Sequence, residues 1–194
     1  MPRPASQLTD DEGTFLALLV RVQPATAYQL SKIYAESPVS NFGTSKGKIY
    51  PLIRRLKERG LIRSRPVPGD ARGSERLESS HRGREALRRW IKQIRPGHLL
   101  LEDPLRTMVQ SFDMLTADER AAWIRQAREA LEGKLQELEE YAAGVFVPYK
   151  EAVHDNAVSS VRSRLDWLGR LETSLFGNGR AKSARRGGPR LKSN

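Results

Sequence analysis

The chain has 194 residues, 34 Lys and Arg against 23 Asp and Glu, a net charge of +11, 38% hydrophobic residues and no cysteine. Without cysteine there are no disulfides and no thiolate metal sites, and three scattered histidines, His81, His98 and His154, give no reason to expect a metal or cofactor. No apolar run nears the ~18 residues of a membrane-spanning helix, and the opening MPRPASQLTDDEG lacks the apolar stretch of a signal peptide, so a cytoplasmic protein of one or two domains is expected.

The charge is unevenly placed. Residues 1–97 carry nineteen Lys and Arg against nine acids, residues 98–176 nine against fourteen, and residues 177–194 six against none. A basic first half, an acidic middle and a basic end predict a DNA-binding domain over 1–97, a helical dimerisation domain over 98–176 and a disordered tail over 177–194. The basic patches call for a polyanion partner.

Thr9-Asp10-Asp11-Glu12 has the form of a capping box, with Thr at N-cap and Glu at N3. Phe15, Leu18, Leu19 and Val22 then recur at helical spacing. A second helix begins at Thr26, with Ala27, Leu30, Ile33 and Tyr34 as its apolar stripe, and ends at Pro38. A third starts at Thr44 or Ser45 and turns Ile49, Leu52, Ile53 and Leu56 inward despite Pro51; Gly60 stops it. Two short strands, LIRSRPV and SERLESS, flank the turn PGDARG. Ser80 caps a fourth helix running towards Pro96-Gly97.

Three helices followed by a hairpin is the order of a winged helix-turn-helix, in which one helix enters the major groove and the hairpin reaches beside it. The expected fold class is therefore mainly α: an N-terminal winged helix-turn-helix with a two-stranded wing, plus a C-terminal helical dimerisation domain. Lys46, Lys48, Arg54, Arg55, Lys57 and Arg59 lie on the third helix, and Arg63, Arg65, Arg72 and Arg76 on the hairpin.

KIYPLIRRLKERGLIRS (Lys48 to Ser64) resembles the signature of the PadR family of bacterial transcriptional regulators, I-Y-P-x-L-x-x-L-x-x-x-G-L-I. The matching positions are Ile49, Tyr50, Pro51, Ile53, Leu56, Gly60, Leu61 and Ile62. AYQL (Ala27 to Leu30) is similar to the family's G-Y-E-L, and SSHRGREALRRW to its L-T-x-x-G-x-x-x-L-x-x-W through Ser80, Gly83, Leu87 and Trp90. LDWLGRLETSL (Leu165 to Leu175) resembles the last helix of longer members. One departure concerns the second wing strand, where Leu77 and Ser79 stand in place of an aromatic residue and a Leu. The resemblance implies a homodimeric repressor, less often an activator, that binds a palindromic promoter site; many such proteins respond to small aromatic effectors.

Beyond residue 98, Asp103-Pro104 starts a short helix and Thr116-Ala117-Asp118-Glu119 a second capping box. Two long helices follow, each with one apolar stripe in need of a partner; a second copy of the chain is the expected one, and an intramolecular bundle with the fourth helix and the 103–113 helix the alternative. Leu131, Leu138, Val161, Leu165, Trp167, Leu168 and Leu175 are the expected dimerisation residues. For double-stranded DNA the expected contacts are Tyr28, Thr44, Ser45, Lys46, Lys48, Tyr50, Arg54, Arg55, Arg65, Arg72 and Arg76. Trp90 and Trp123 are candidates for an aromatic effector, although packing is the commoner use of tryptophan.

No glycine-rich phosphate loop, G-x-S-x-G elbow or H-E-x-x-H occurs, so an enzyme is not expected. A sequence-specific regulator is the leading function. The alternatives are an architectural, nucleoid-type DNA binder with little sequence preference, and a helical protein-interaction module.

Overall fold

A computed structural model of the chain describes residues 7–39, 45–70, 73–100, 103–144 and 148–184. The chain divides into two compact units, Met1–Glu102 and Asp103–Asn194, a boundary five residues beyond the expected one. The short helix α5 explains the difference. Pro96 sits in its first turn and starts it, where a stop was expected.

The first unit runs α1 (Asp10–Val22), β1 (Ala25–Thr26), α2 (Ala27–Glu36), α3 (Lys46–Glu58), β2 (Ile62–Pro66), β3 (Glu75–Ser79), α4 (His81–Ile91) and α5 (Pro96–Leu99). The helix starts follow their caps. The Glu12 N–H donates to Thr9 Oγ1 at 3.1 Å, and Glu12 Oε2 accepts from the Thr9 N–H at 3.0 Å. The Gly83 N–H donates to Ser80 Oγ at 2.9 Å. Gly60 ends α3 with φ +66°, a left-handed conformation that glycine adopts without strain. Phe15, Leu16, Leu19, Leu30, Ile49, Leu56, Leu61 and Leu77 are fully buried and form one core among the helices and the sheet.

The sheet has three antiparallel strands in the order β1-β3-β2, so the expected two-stranded wing gains a partner. β1 is two residues long, too short for an alternating pattern to be visible in the sequence. It pairs Ala25 with Leu77 and Thr26 with Arg76. The departure at Ser79 is accommodated by Gln23, whose Oε1 accepts from the Ser79 N–H at 2.7 Å and from its hydroxyl at 2.9 Å. A buried serine in this strand is thereby satisfied where the resemblance leads one to expect a leucine.

The second unit holds α6 (Pro104–Val109), a 3₁₀ turn (Phe112–Met114), α7 (Ala117–Gly144) and α8 (Lys150–Ala184). α8 continues through Ala184, so the tail expected to be disordered from Gly177 is helical for its first eight residues. The Arg-Ala-Lys-Ser-Ala run that extends it is mostly made of strong helix formers; residues 185–194 lie outside the described ones. Leu131, Leu138, Val158, Val161 and Leu168 are buried where α7 and α8 pack within one chain, with Leu165 and Trp167 half-buried against them. Four expected dimerisation residues, Leu131, Leu138, Val161 and Leu168, therefore serve the hairpin's own core. Leu175 remains exposed.

Candidate nucleic-acid interface

α2 begins at a reciprocal cap: the Thr26 N–H donates to Gln29 Oε1 at 2.8 Å and the Gln29 N–H to Thr26 Oγ1 at 3.2 Å. The cap fixes the first turn of α2 and projects Tyr28 outward, 74% exposed. On α3 the inward stripe Ile49, Leu52, Ile53 and Leu56 is buried, which leaves Ser45, Gly47 and Lys48 exposed and Tyr50 55% exposed. Tyr28 and Tyr50 line one cleft of ≈ 220 Å³ whose other walls include Ile53, Leu77, Ser74 and Glu75. α2, α3 and the wing thus meet at a single concave surface.

On the wing, Arg65 stands directly opposite Arg76, and Thr26 is the β1 partner of Arg76. Alternation along the strands places Arg63, Arg65 and Arg76 on the outer face and Ile62 and Leu77 on the core face. Like charges opposed across a strand pair are destabilising. Neither Arg65 nor Arg76 is in an ion pair among the described residues.

The basic residues of α3 divide into two sets. In its C-terminal half four cations are ion-paired with three acids. Arg54 Nε lies 4.0 Å from Glu58, Arg55 Nε 3.8 Å from Glu12 Oε1, and Arg59 Nη1 2.8 Å from Glu12 Oε2. Lys57 Nζ donates to both oxygens of Glu75 at 3.0 and 2.8 Å. In the N-terminal half Lys48 is in no ion pair among the described residues. Arg55 and Arg59 therefore reach Glu12 of α1; Arg55, one of the residues expected at DNA, stays half exposed while Arg59 is mostly covered. Thr44, Arg72 and the side chain of Lys46, all expected at DNA, lie outside the described residues.

Glu12 was legible only as a helix cap. It is 3% exposed and also receives two arginines from α3. Burial pushes its carboxyl up, but the hydrogen bond from the Thr9 N–H and the nearby Arg59 and Arg55 outweigh burial and leave it below the usual range. A second acid of α1, Asp10, accepts from Trp90 Nε1 at 3.2 Å, from Arg95, and lies 3.1 Å from His98 Nε2. The one available sequence signal was the i, i+4 arginine pair on α3, which has no acid at that spacing on its own helix.

The effector candidates are engaged in packing. The Trp90 ring lies so close over Gly13 that a Cβ there would sit 2.3 Å from it. Trp123 meets Phe112 edge to face, with ring centroids 5.0 Å apart.

No family model and no curated protein matches the sequence. Solved structures do match it. Bacillus subtilis PadR in complex with operator DNA superposes with a TM-score of 0.69 at 16% identity, over 84% of this chain and 98% of that one. The chain has the PadR fold. The same protein in complex with p-coumaric acid gives a TM-score of 0.67 at 16% identity, over 84% of this chain and 97% of that one. The PadR-like transcriptional regulator BC1756 from Bacillus cereus gives 0.63 at 20% identity, over 87% and 99%. The PadR fold accounts for the winged unit and for the long helices after it. It also agrees with the motif KIYPLIRRLKERGLIRS, whose inward residues are the core of α3.

Proposed function

We propose that this chain is a PadR-family transcriptional regulator that binds duplex DNA sequence-specifically as a homodimer. The observation that carries the reading is the cleft where Tyr28, Tyr50 and the wing meet, on a unit whose third helix and wing also expose Lys48, Arg65 and Arg76, none of them in an ion pair among the described residues. In this reading Lys48 and Tyr50 approach base edges, Tyr28 sets register on a phosphate, and the wing arginines follow the backbone. A two-fold site suits two copies of one recognition helix. The exposed Val153 and Leu175 of α8 offer apolar surface to a second copy. Bacillus subtilis PadR has been solved with operator DNA and with p-coumaric acid, which supports a DNA partner and a small aromatic ligand here; repression at a palindromic site with release by that ligand is the form of regulation we propose.

Selection of binding sites from random duplexes at fixed salt tests this. A two-fold symmetric consensus is the expected result. Equal affinity for all duplexes would favour an architectural DNA binder, and no salt-dependent binding would favour a protein-interaction module. Lys48→Ala should weaken the selected site by about 1–3 kcal/mol if Lys48 reads a base, and an equal loss on random duplex would make it a phosphate contact. Quenching of tryptophan fluorescence by phenolic acids, with loss of operator affinity, is the expected sign of an effector.

A further inference from the structure

We propose that Glu12 is a positioning residue for DNA recognition: from inside α1 it sets the aim of α3 and so controls sequence discrimination. The inference rests on the DNA-binding reading above.

The apolar face of α3 packs without directional bonds. Directional bonds gather at its C-terminal end. Arg59, the C-cap residue, donates from Nη1 to Glu12 Oε2 at 2.8 Å and from Nη2 to the Gln7 carbonyl at 3.0 Å. Arg55, one turn earlier, has its Nε 3.8 Å from Glu12 Oε1. At the opposite end Ser45 makes no side-chain cap bond. Lys57 and Glu75 add a second anchor in the same half, but both are partly exposed and open to salt screening, whereas the Glu12 carboxylate is buried.

The geometry gives this anchor leverage. Lys48 lies eleven residues before Arg59, about 16 Å along the axis at 1.5 Å per residue. A tilt of about 5° at Arg59 moves the Lys48 end by about 1.4 Å, against the ~0.5 Å spread of good hydrogen-bond lengths. Contacts with base edges fail under such a shift, while flexible lysine and arginine contacts with phosphates survive it. A buried ion pair is also a poor source of net stability, and its best-attested use is to fix register. Glu12 has the further constraint that the same carboxylate closes the cap of α1 through the Thr9 N–H. The start of α1 and the end of α3 therefore share one side chain.

The test uses the full chain, the duplex selected from a random pool, and a shuffled duplex of equal composition at the same salt. Glu12→Gln keeps the shape and removes the charge. We expect its preference for the selected duplex to fall at least tenfold while affinity for the shuffled duplex changes less than twofold. Hydrogen exchange should quicken in the C-terminal half of α3 and stay unchanged in α7 and α8. If Glu12→Gln does not melt cooperatively, Arg59→Lys, which leaves the α1 cap intact, is judged by the same two criteria. Retained preference, or an equal loss on both duplexes, would overturn the proposal. A wild-type chain with no preference between duplexes would overturn the DNA-binding reading itself, and that result appears before any variant is made.

Discussion

Gly83 shows how closely single residues are constrained. A Cβ there would lie 2.0 Å from the carbonyl oxygen of Leu61, a backbone atom that cannot swing aside. Ser80 draws the two segments together, because its N–H donates to that carbonyl at 3.0 Å and its hydroxyl to the neighbouring Gly60 carbonyl at 2.7 Å. Gly83→Ala should therefore destabilise the first unit by at least about 1–3 kcal/mol, the usual cost of overpacking, measured from the denaturant midpoint. Gly133 is the opposite case. It lies mid-helix in α7 with nothing within 4 Å of a Cβ. Gly133→Ala should stabilise the hairpin by about 0.5–1 kcal/mol through helix propensity alone. The sequence marks both residues as helix glycines and cannot separate them, since the deciding neighbour of Gly83 is 22 positions away in the chain.

At the scale of elements, the join between α1 and α3 predicts an acid response. Folding holds the Glu12 carboxyl below its ordinary value of 4.5, so the unfolded chain binds protons more readily than the folded one does. The stability from Glu12 is fully present above about 4.5 and is lost as pH falls below it. Glu75, held down by hydrogen bonds from Lys57 and Ser64, acts in the same direction. Acid titration of the melting temperature should thus show a fall below pH 4.5 that is shallower in Glu12→Gln. Local signals made the elements themselves legible: the caps at Thr9, Thr26, Ser80 and Thr116, the stripe of α3, and Gly60. Their joins were not, because Glu12–Arg59, Gln23–Ser79 and Trp90–Gly13 each link residues far apart in sequence with no periodic pattern. The apolar stripes of α7 and α8 are visible in the sequence, but periodicity does not reveal that much of each is buried against the other helix of the same chain.

At the scale of the whole molecule, pairing reduces the charge available to a polyanion. Lys57, Arg54, Arg55 and Arg59 are in ion pairs within the chain, leaving Lys48, Arg63, Arg65 and Arg76 as the described cations of the α3 and wing surface outside any ion pair. If the chain binds duplex DNA as proposed, affinity should fall with salt, and the log–log slope should flatten by about one for each of Arg65→Ala and Arg76→Ala, because each phosphate contact releases about one counterion. Arg55→Ala should leave that slope nearly unchanged, even if it weakens the selected site. The apposition of Arg65 and Arg76 has a further consequence for the protein on its own. Two arginines at opposed register positions on one face of the hairpin repel each other, and an anion bound between them relieves that repulsion. By linkage, a multivalent anion that binds only the folded wing raises its melting temperature in proportion to RT ln(1 + [L]/Kd). Melting temperatures taken in phosphate or sulfate buffer should exceed those in chloride at equal ionic strength, partly through the general exclusion of these anions from protein surfaces, and the difference should be smaller in the Arg65→Ala chain. The anion in the buffer is then a variable in any comparison of stability for this protein.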